Sequence, residues 1–273
     1  MESTLSHETQ IDALQRRCAE LEREVEHLRL KQQTRLMIAA DVHRSLLPGP
    51  VRHDRIWVDL RYVPIEEVGG DYCQVRFPDR ATCYVTMCDV MGHGVGAALL
   101  ATRISSEVRY GIVYGREPRD IVHSLERFMG EHFSNTGLFL SFVAARIDLE
   151  RMELTWSGAG HPSPLLIRRE RREIQYLTSQ NPVIGLDLPD SDKFHQDTVS
   201  LKPGDRLFFF TDGLFEVLNA EERQLGIAGL AEVARSTMGC DLFEVADNVL
   251  KMIHDYQFGP NTDDQTLIVA EMR

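Results

Sequence analysis

The apolar positions fall into two regimes. From residue 8 to about residue 47 the chain has no Gly or Pro, and Ile11, Leu14, Cys18, Leu21, Val25 and Leu28 recur at alternating spacings of three and four. That is an a/d seam over about three heptads, with charged and amide residues between. A stripe only two positions wide per heptad favours a parallel coiled-coil homodimer over a lone amphipathic helix lying on a domain. Cys18 and Gln32 weaken the seam. After Leu30 the stripe widens to Leu36, Met37, Val42, Leu46 and Leu47, which predicts that the helix there meets another surface. Pro48-Gly49-Pro50 stops it.

From residue 53 the period shortens. β-branched and aromatic runs at Ile56–Val63, Tyr72–Phe77, Thr82–Asp89, Phe139–Ile147, Glu153–Trp156, Pro164–Arg168, Arg206–Thr211 and Gln265–Ala270 predict strands. Helical patterns cover about 95–114, 118–133 and 241–256. Strands and helices do not alternate regularly, so a doubly wound parallel sheet is disfavoured. The expectation is an α+β chain: an N-terminal coiled-coil or linker helix over 1–50, then one domain over 51–273 with antiparallel sheets and helices packed outside.

Composition adds limits. The 273 residues carry a formal charge of -12, which disfavours nucleic acid or an anionic membrane surface as the main partner. Five cysteines (Cys18, Cys73, Cys83, Cys88 and Cys240) form no paired framework and read as reduced thiols of a cytoplasmic protein. No apolar stretch approaches the roughly 20 residues of a bilayer span, and the polar N-terminus lacks a signal-peptide layout.

The chemistry is in where certain aspartates fall. Asp71 follows Val68-Gly69-Gly70 and opens a strand; Asp89 closes one and precedes Val90-Met91-Gly92-His93-Gly94. Asp212 closes an apolar run before Gly213, and Asp263 and Asp264 open the last strand. A carboxylate set against a buried strand is costly unless a cation or hydrogen bonds compensate it. Any one of these alone has an ordinary turn or N-cap reading; the set suggests a shared acidic site. All-oxygen donors select Mg²⁺ or Mn²⁺ over zinc.

At these residues the sequence resembles the PPM-type metal-dependent serine/threonine phosphatases, in their bacterial SpoIIE/RsbU-like branch of stress and sporulation phosphatases. The resemblance runs through Val68-Gly69-Gly70-Asp71, Cys88-Asp89-Val90-Met91-Gly92-His93-Gly94, Ala159-Gly160-His161-Pro162, Asn181-Pro182-Val183-Ile184-Gly185-Leu186, Thr211-Asp212-Gly213 and Asp263-Asp264-Gln265-Thr266. Each motif is short; six in order over about 53–273 are specific. Arg44-Ser45-Leu46-Leu47-Pro48 is similar to the linker that precedes this domain in that branch.

The resemblance implies two packed antiparallel sheets flanked by helices, with two Mn²⁺ or Mg²⁺ ions at one end. It implies Asp89 bridging both ions with the Val90 carbonyl as a further ligand, Asp71 on one ion, and Asp212 and Asp263 on the other. Asp264 is the fallback should Asp263 point away. Two sequence departures are Gln74, where the family often has a second acid, and His93, where it often has Lys or Asn. A water shared by two ions has its pKa lowered toward neutrality and can attack phosphorus in line. The implied substrate is a phosphorylated anti-sigma-factor antagonist of STAS type, with input through the dimerising helix from an upstream sensor or regulator. The alternatives are a non-catalytic pseudophosphatase module and a hydrolase of a small phosphate ester.

Weaker signals remain. No Cys-x5-Arg phosphate loop exists, so Cys73 and Cys88 read as small buried residues. His93 and His161 are candidate proton donors to the leaving oxygen, each with the alternative of a structural turn histidine. Arg168, Arg169, Arg171 and Arg172 predict a basic hairpin tip, either a solvated turn or a contact for an acidic partner.

Overall fold

A long helix, α1 (Glu2–Arg44), leads into β1 (Val51–Arg52), β2 (Ile56–Val63), β3 (Asp71–Arg76) and β4 (Thr82–Val90). Two helices follow, α2 (Val95–Val113) and α3 (Pro118–Phe133), then β5 (Leu140–Asp148), β6 (Glu153–Ala159), β7 (Leu165–Ile167), β8 (Ile174–Tyr176), β9 (Asp197–Ser200) and β10 (Arg206–Phe210). The chain closes with α4 (Gly226–Ser236), α5 (Leu242–Tyr256) and β11 (Gln265–Met272). This computed structural model describes residues 2–92, 94–186 and 194–273, with side chains from residue 14 onward.

The strands form two sheets, ordered β1-β2-β11-β10-β7-β8 and β3-β4-β5-β6-β9. Neighbouring strands pair antiparallel in both. The sheets stack face to face. Ile56, Val58, Leu207, Phe209, Ile268 and Ala270 of the first meet Cys73, Cys83, Val85, Met87, Val143 and Trp156 of the second. Each large apolar side chain fully buried there contributes about 1.5–3 kcal/mol. The alternate residues face outward and are covered as well. Tyr72, Tyr84, Cys88 and Phe142 pack under α2 and α3, and Phe208, Phe210, Leu267 and Val269 under α4 and α5. Burial on both faces explains why β10 and β11 read as unbroken apolar runs rather than alternating ones.

The two-sheet arrangement flanked by helices agrees with the expected α+β class. The predicted runs each hold a strand with ends moved by a few residues, and Ile56–Val63 is reproduced end to end. β1, β8, β9 and α4 lie outside the predicted runs. β8 and β9 are short and mostly exposed, so no apolar period marks them. α4 contains Gly226 and Gly229, both poor helix formers.

α1 starts earlier than its apolar pattern and ends at Arg44, a turn before Pro48. Leu14, Cys18, Leu21, Val25 and Leu28 are exposed along it; Ile11 lies outside the described side chains. Among the described side chains of α1, only those of the last turns reach the domain. Ala40 is buried with Val68 and Ala98, His43 is buried, and Leu46 and Leu47 pack at the edges of the two main cores. Met37 and Val42, expected on that contact face, are exposed instead. The inward face runs Leu36, Ala40, His43 and Leu47, at spacings of three and four.

Candidate metal centre

The inter-sheet layer ends in polar residues at one edge of the sandwich. Along β4 the inward positions are Cys83, Val85 and Met87, and the next is Asp89; along β3, Cys73 is followed outward by Asp71. From the facing sheet, Leu207 and Phe209 lead to Thr211, and Ala270 and Ile268 lead to Thr266 and Asp264. The two-residue period of a strand thus delivers acids and hydroxyls to the same rim that its apolar residues fill deeper in.

Asp71 and Asp89 are directly opposed across β3 and β4, and Ser141 opposes Asp89 across β5. Directly opposed side chains share a face with Cβ atoms about 4.5–5.5 Å apart. Asp71 is buried, and its Oδ2 accepts hydrogen bonds from the Thr211 and Thr266 hydroxyls, at 2.8 Å for Thr211. The Val90 carbonyl oxygen lies 2.7 Å from where a β-carbon on Gly70 would stand. Asp212 heads a 3-10 turn, Asp212–Leu214, at the end of β10.

The pair at the start of β11 divides its labour. Asp264 is buried; its Oδ1 accepts from the Ile65 N–H and its Oδ2 from the Gly70 N–H, each at 2.8 Å. Asp263 is exposed and accepts one hydrogen bond, from the Asp264 N–H at 2.8 Å. Asp263 therefore keeps its second carboxylate oxygen for a ligand, while both Asp264 oxygens tie the start of β11 to the loop before β3. Two glycines make room. A β-carbon on Gly69 would come within 2.0 Å of Asp264 Oδ2, and one on Gly213 within 2.1 Å of the Asp264 carbonyl oxygen.

The acids feel one another. Burial raises Asp89 to about 7, helped by the charges of Asp212, Asp263, Asp264 and Glu216. Burial, then Asp89, pushes Asp71 well above the ordinary carboxylate range, against the two threonine hydrogen bonds. Asp212 is raised by burial, Asp263 and Glu216. Among the described residues, however, no three His, Cys, Asp or Glu side chains are gathered into a ready metal cage. Asp71 is turned to its threonines and Asp264 to its backbone amides, which leaves Asp89, Asp212 and Asp263 as the more open carboxylates, while Val90 is buried with its carbonyl against Gly70. The donor set is all oxygen and anionic, which suits a hard divalent cation.

The other sequence candidates fall elsewhere. His161 is buried, and burial drives its pKa down to about 3, so it is a neutral base at physiological pH and not a leaving-group acid. His93 lies outside the described residues. Gln74 points under α2, donating to the Ser105 carbonyl at 2.8 Å, away from the acids. Cys73, Cys83 and Cys88 are buried, and burial raises their thiols. The arginine cluster forms the tip between β7 and β8, where Arg168 is bound to buried Asp205 at 2.8 Å and Arg171 pairs with Glu173.

Sequence reasoning missed Glu216, Thr211, Thr266, Ser141 and His43. Glu216 sits one helical turn beyond Asp212, and a four-residue spacing from a suspected ligand was its only signal. The two threonines and Ser141 could have been found by extending the inward two-residue register to the strand ends. His43 could not, since its partners come from other elements.

Comparison with known proteins places the chain in a family. A family model described as Stage II sporulation protein E (SpoIIE) matches residues 79–273. Among curated relatives, phosphoserine phosphatase RsbU of Bacillus subtilis is 25% identical over 240 residues, covering 86% of this chain and 69% of RsbU. Phosphoserine phosphatase RsbP of the same organism is 25% identical over 196 residues, covering 70% of this chain. This chain spans about half of RsbP, 47% of its length. The SiaA-PP2C domain of Pseudomonas aeruginosa superposes with a TM-score of 0.78 at 24% identity, over 90% of this chain and 98% of that one. The PP2C domain of SpoIIE from Bacillus subtilis, with a fragment of its regulatory domain, gives 0.70 at 16% identity, over 81% and 64%. These likenesses show a PP2C-like fold, and the family match covers most of the chain: it belongs to the Stage II sporulation protein E (SpoIIE) family.

Proposed function

We propose that this protein is a metal-dependent phosphatase of phosphoserine or phosphothreonine in a protein substrate. The observation that carries the reading is the direct opposition of Asp71 and Asp89, with Asp212, Asp263 and Glu216 close enough to raise the Asp89 pKa. So many like charges around a mostly buried carboxyl are relieved by a bound cation. Asp89, the Val90 carbonyl, Asp212 and Asp263 would hold Mn²⁺ or Mg²⁺, with Asp71 completing a second position. Two such ions, when bound, lower the pKa of a water between them and offset charge on the phosphoryl oxygens. The protein side of the reaction is then mostly placement. The threonine pair fixes one oxygen of Asp71, and Asp264 fixes the Gly69-Gly70 loop that carries it. The names of RsbU and RsbP support a phosphoserine substrate; a STAS-type anti-sigma-factor antagonist rests on resemblance to that branch alone.

Control through α1 belongs to the same reading. The seam residues Leu14, Leu21, Val25 and Leu28 are exposed on a helix that extends from the domain, which suits pairing with a second copy. Its other end touches the site's supports. The His43 ring lies 5.7 Å from the Tyr62 ring, and the Tyr62 hydroxyl accepts the Gly69 N–H at 3.0 Å. Ala40 packs on Val68, and Ala98 places α2 in the same cluster. A rotation of α1 would thus bear on the loop that carries Asp71, and an upstream regulator could act there.

The test is phosphate release from a phosphopeptide and from p-nitrophenyl phosphate, with Mn²⁺ and with chelator, by the wild type and by Asp89→Asn. Metal-dependent release that Asp89→Asn abolishes is the expected result. Absence of release from the metal-loaded wild type overturns the reading.

A further inference from the structure

His161 is buried beside the site, yet the acidic centre does not use it directly. It follows Gly160, which has a positive φ of 62° and bridges in parallel to Phe142 on β5. That turn places Nδ1 2.8 Å from the Ser141 hydroxyl. Nε2 is buried and has no hydrogen-bond partner among the described residues; the Phe210 backbone raises the ring's pKa against the larger effect of burial. A neutral imidazole has one N–H. Carried on Nε2, that hydrogen leaves Nδ1 free to accept from the Ser141 O–H; carried on Nδ1, it would be donated to the Ser141 oxygen. The pairing below requires the Nε2–H tautomer. Nδ1 is then an acceptor, and the Ser141 O–H donates to it.

This fixes what Ser141 can offer. Its hydrogen is committed to His161, so its oxygen presents lone pairs only. It opposes Asp89 across β4 and β5, on the same inward face, and both residues are partly open to solvent where the deeper residues of this layer are buried. An acceptor held beside a carboxylate, at the open rim of a dry layer, suits a water molecule that donates one hydrogen to it.

We propose that Ser141 and His161 form a positioning pair for the nucleophilic water. Ser141 accepts a hydrogen bond from the water held at Asp89, and His161 fixes the Ser141 hydroxyl as an acceptor. The pair takes no proton; it sets which lone pair of the water faces phosphorus. This rests on the hydrolytic reading above and adds two residues to it.

The test compares Ser141→Ala, Ser141→Thr, His161→Ala and His161→Asn with the wild type, on p-nitrophenyl phosphate at saturating Mn²⁺. Mn²⁺ affinity is measured separately by calorimetry, and folding by thermal unfolding. Ser141→Ala should lower kcat roughly 10- to 100-fold, as misplacement of a reacting group does, with KM and Mn²⁺ affinity within about twofold of the wild type. Ser141→Thr keeps the hydroxyl and should recover most of the rate. Asn at position 161 can set a side-chain oxygen near the place of Nδ1, so His161→Asn should exceed His161→Ala, and Ser141→Ala should erase the difference between them. Wild-type kcat in Ser141→Ala, or a loss traced wholly to weakened Mn²⁺ binding, overturns the proposal. Should the His161 variants fail to fold, the Ser141 pair alone decides it. An inactive wild type would instead strike the hydrolytic reading, so the two failures are distinguishable.

Discussion

Asp264 and Gly70 join the two sheets at the rim of the acidic centre: Asp264 Oδ2, at the start of β11, accepts the Gly70 N–H at 2.8 Å, one residue before Asp71 opens β3. With Oδ1 on the Ile65 N–H, this carboxylate spans the whole loop that brings β2 round to β3. Its neighbour Asp263 makes no such tie.

Adjacent aspartates should therefore fail in different ways. Asp264→Ala strands the buried Gly70 N–H, at a cost of about 1–3 kcal/mol when left unsatisfied, and releases the N–H of exposed Ile65 from its tie. It should lower Tm markedly even without metal. Asp263→Asn should leave the metal-free Tm within a degree or two and weaken Mn²⁺ binding. Thermal unfolding with and without Mn²⁺ separates them, and equal Tm losses in both would refute the division of roles.

Asp89 predicts an unusual pH dependence for metal-free protein. Its carboxyl keeps a proton up to about pH 7 when folded, against an ordinary aspartate value of 3.8. Folding then takes up a proton between those two values, so this residue's contribution to stability falls as pH rises through the window. Asp89→Asn should accordingly make the metal-free protein more stable than wild type at pH 8, with the advantage fading toward pH 4. Mn²⁺ should reverse the ranking, because a ligand at about 100 times its dissociation constant adds about 2.7 kcal/mol to a protein that binds it. Urea unfolding at several pH values, with chelator or with Mn²⁺, reads both effects.

Local chemistry was legible where one residue type sat beside one strand end. Asp71, Asp89, Asp212 and Asp263 stood out in the sequence because an acid against an apolar run is unusual, and the structure brings the first two into register. What Asp264 does was not legible, because its partners Ile65 and Gly70 lie some 200 residues away in the chain. The same holds for His161. A histidine in a turn looks available, and only the packing of β5, β6 and β10 around it makes it inaccessible. Strands β8 and β9 were missed for the opposite reason: they are held by backbone pairing to neighbours, with little apolar surface of their own to set a period.

His161 should titrate far below an ordinary histidine. Burial lowers its folded pKa to about 3, against an ordinary histidine value of 6.5. Between those values the unfolded chain binds a proton that the folded protein refuses, so this residue's contribution to stability falls as pH drops through the window. Histidine NMR in the folded protein should show one imidazole still neutral at pH 5, absent in His161→Asn. A midpoint near 6 for that resonance would contradict the enclosure of the ring.

The seam of α1 offers the cleanest separation of assembly from folding. Leu21 and Val25 are 44% and 46% exposed, so their replacement removes little from a single chain. Leu21→Asp with Val25→Asp should leave the Tm of the two-sheet domain unchanged while placing two charges per helix in any a/d interface, where each desolvated, unpaired carboxylate is strongly unfavourable. Light scattering should then report a shift from dimer to monomer. His43→Ala is the complementary change. It opens a cavity between α1, Tyr62 and the Gly69 loop, and should alter Mn²⁺ affinity or activity without altering oligomer mass. If the double aspartate variant keeps the mass of the wild type, α1 is not the dimer contact; if it is monomeric and its activity is unchanged, pairing through α1 does not control the site.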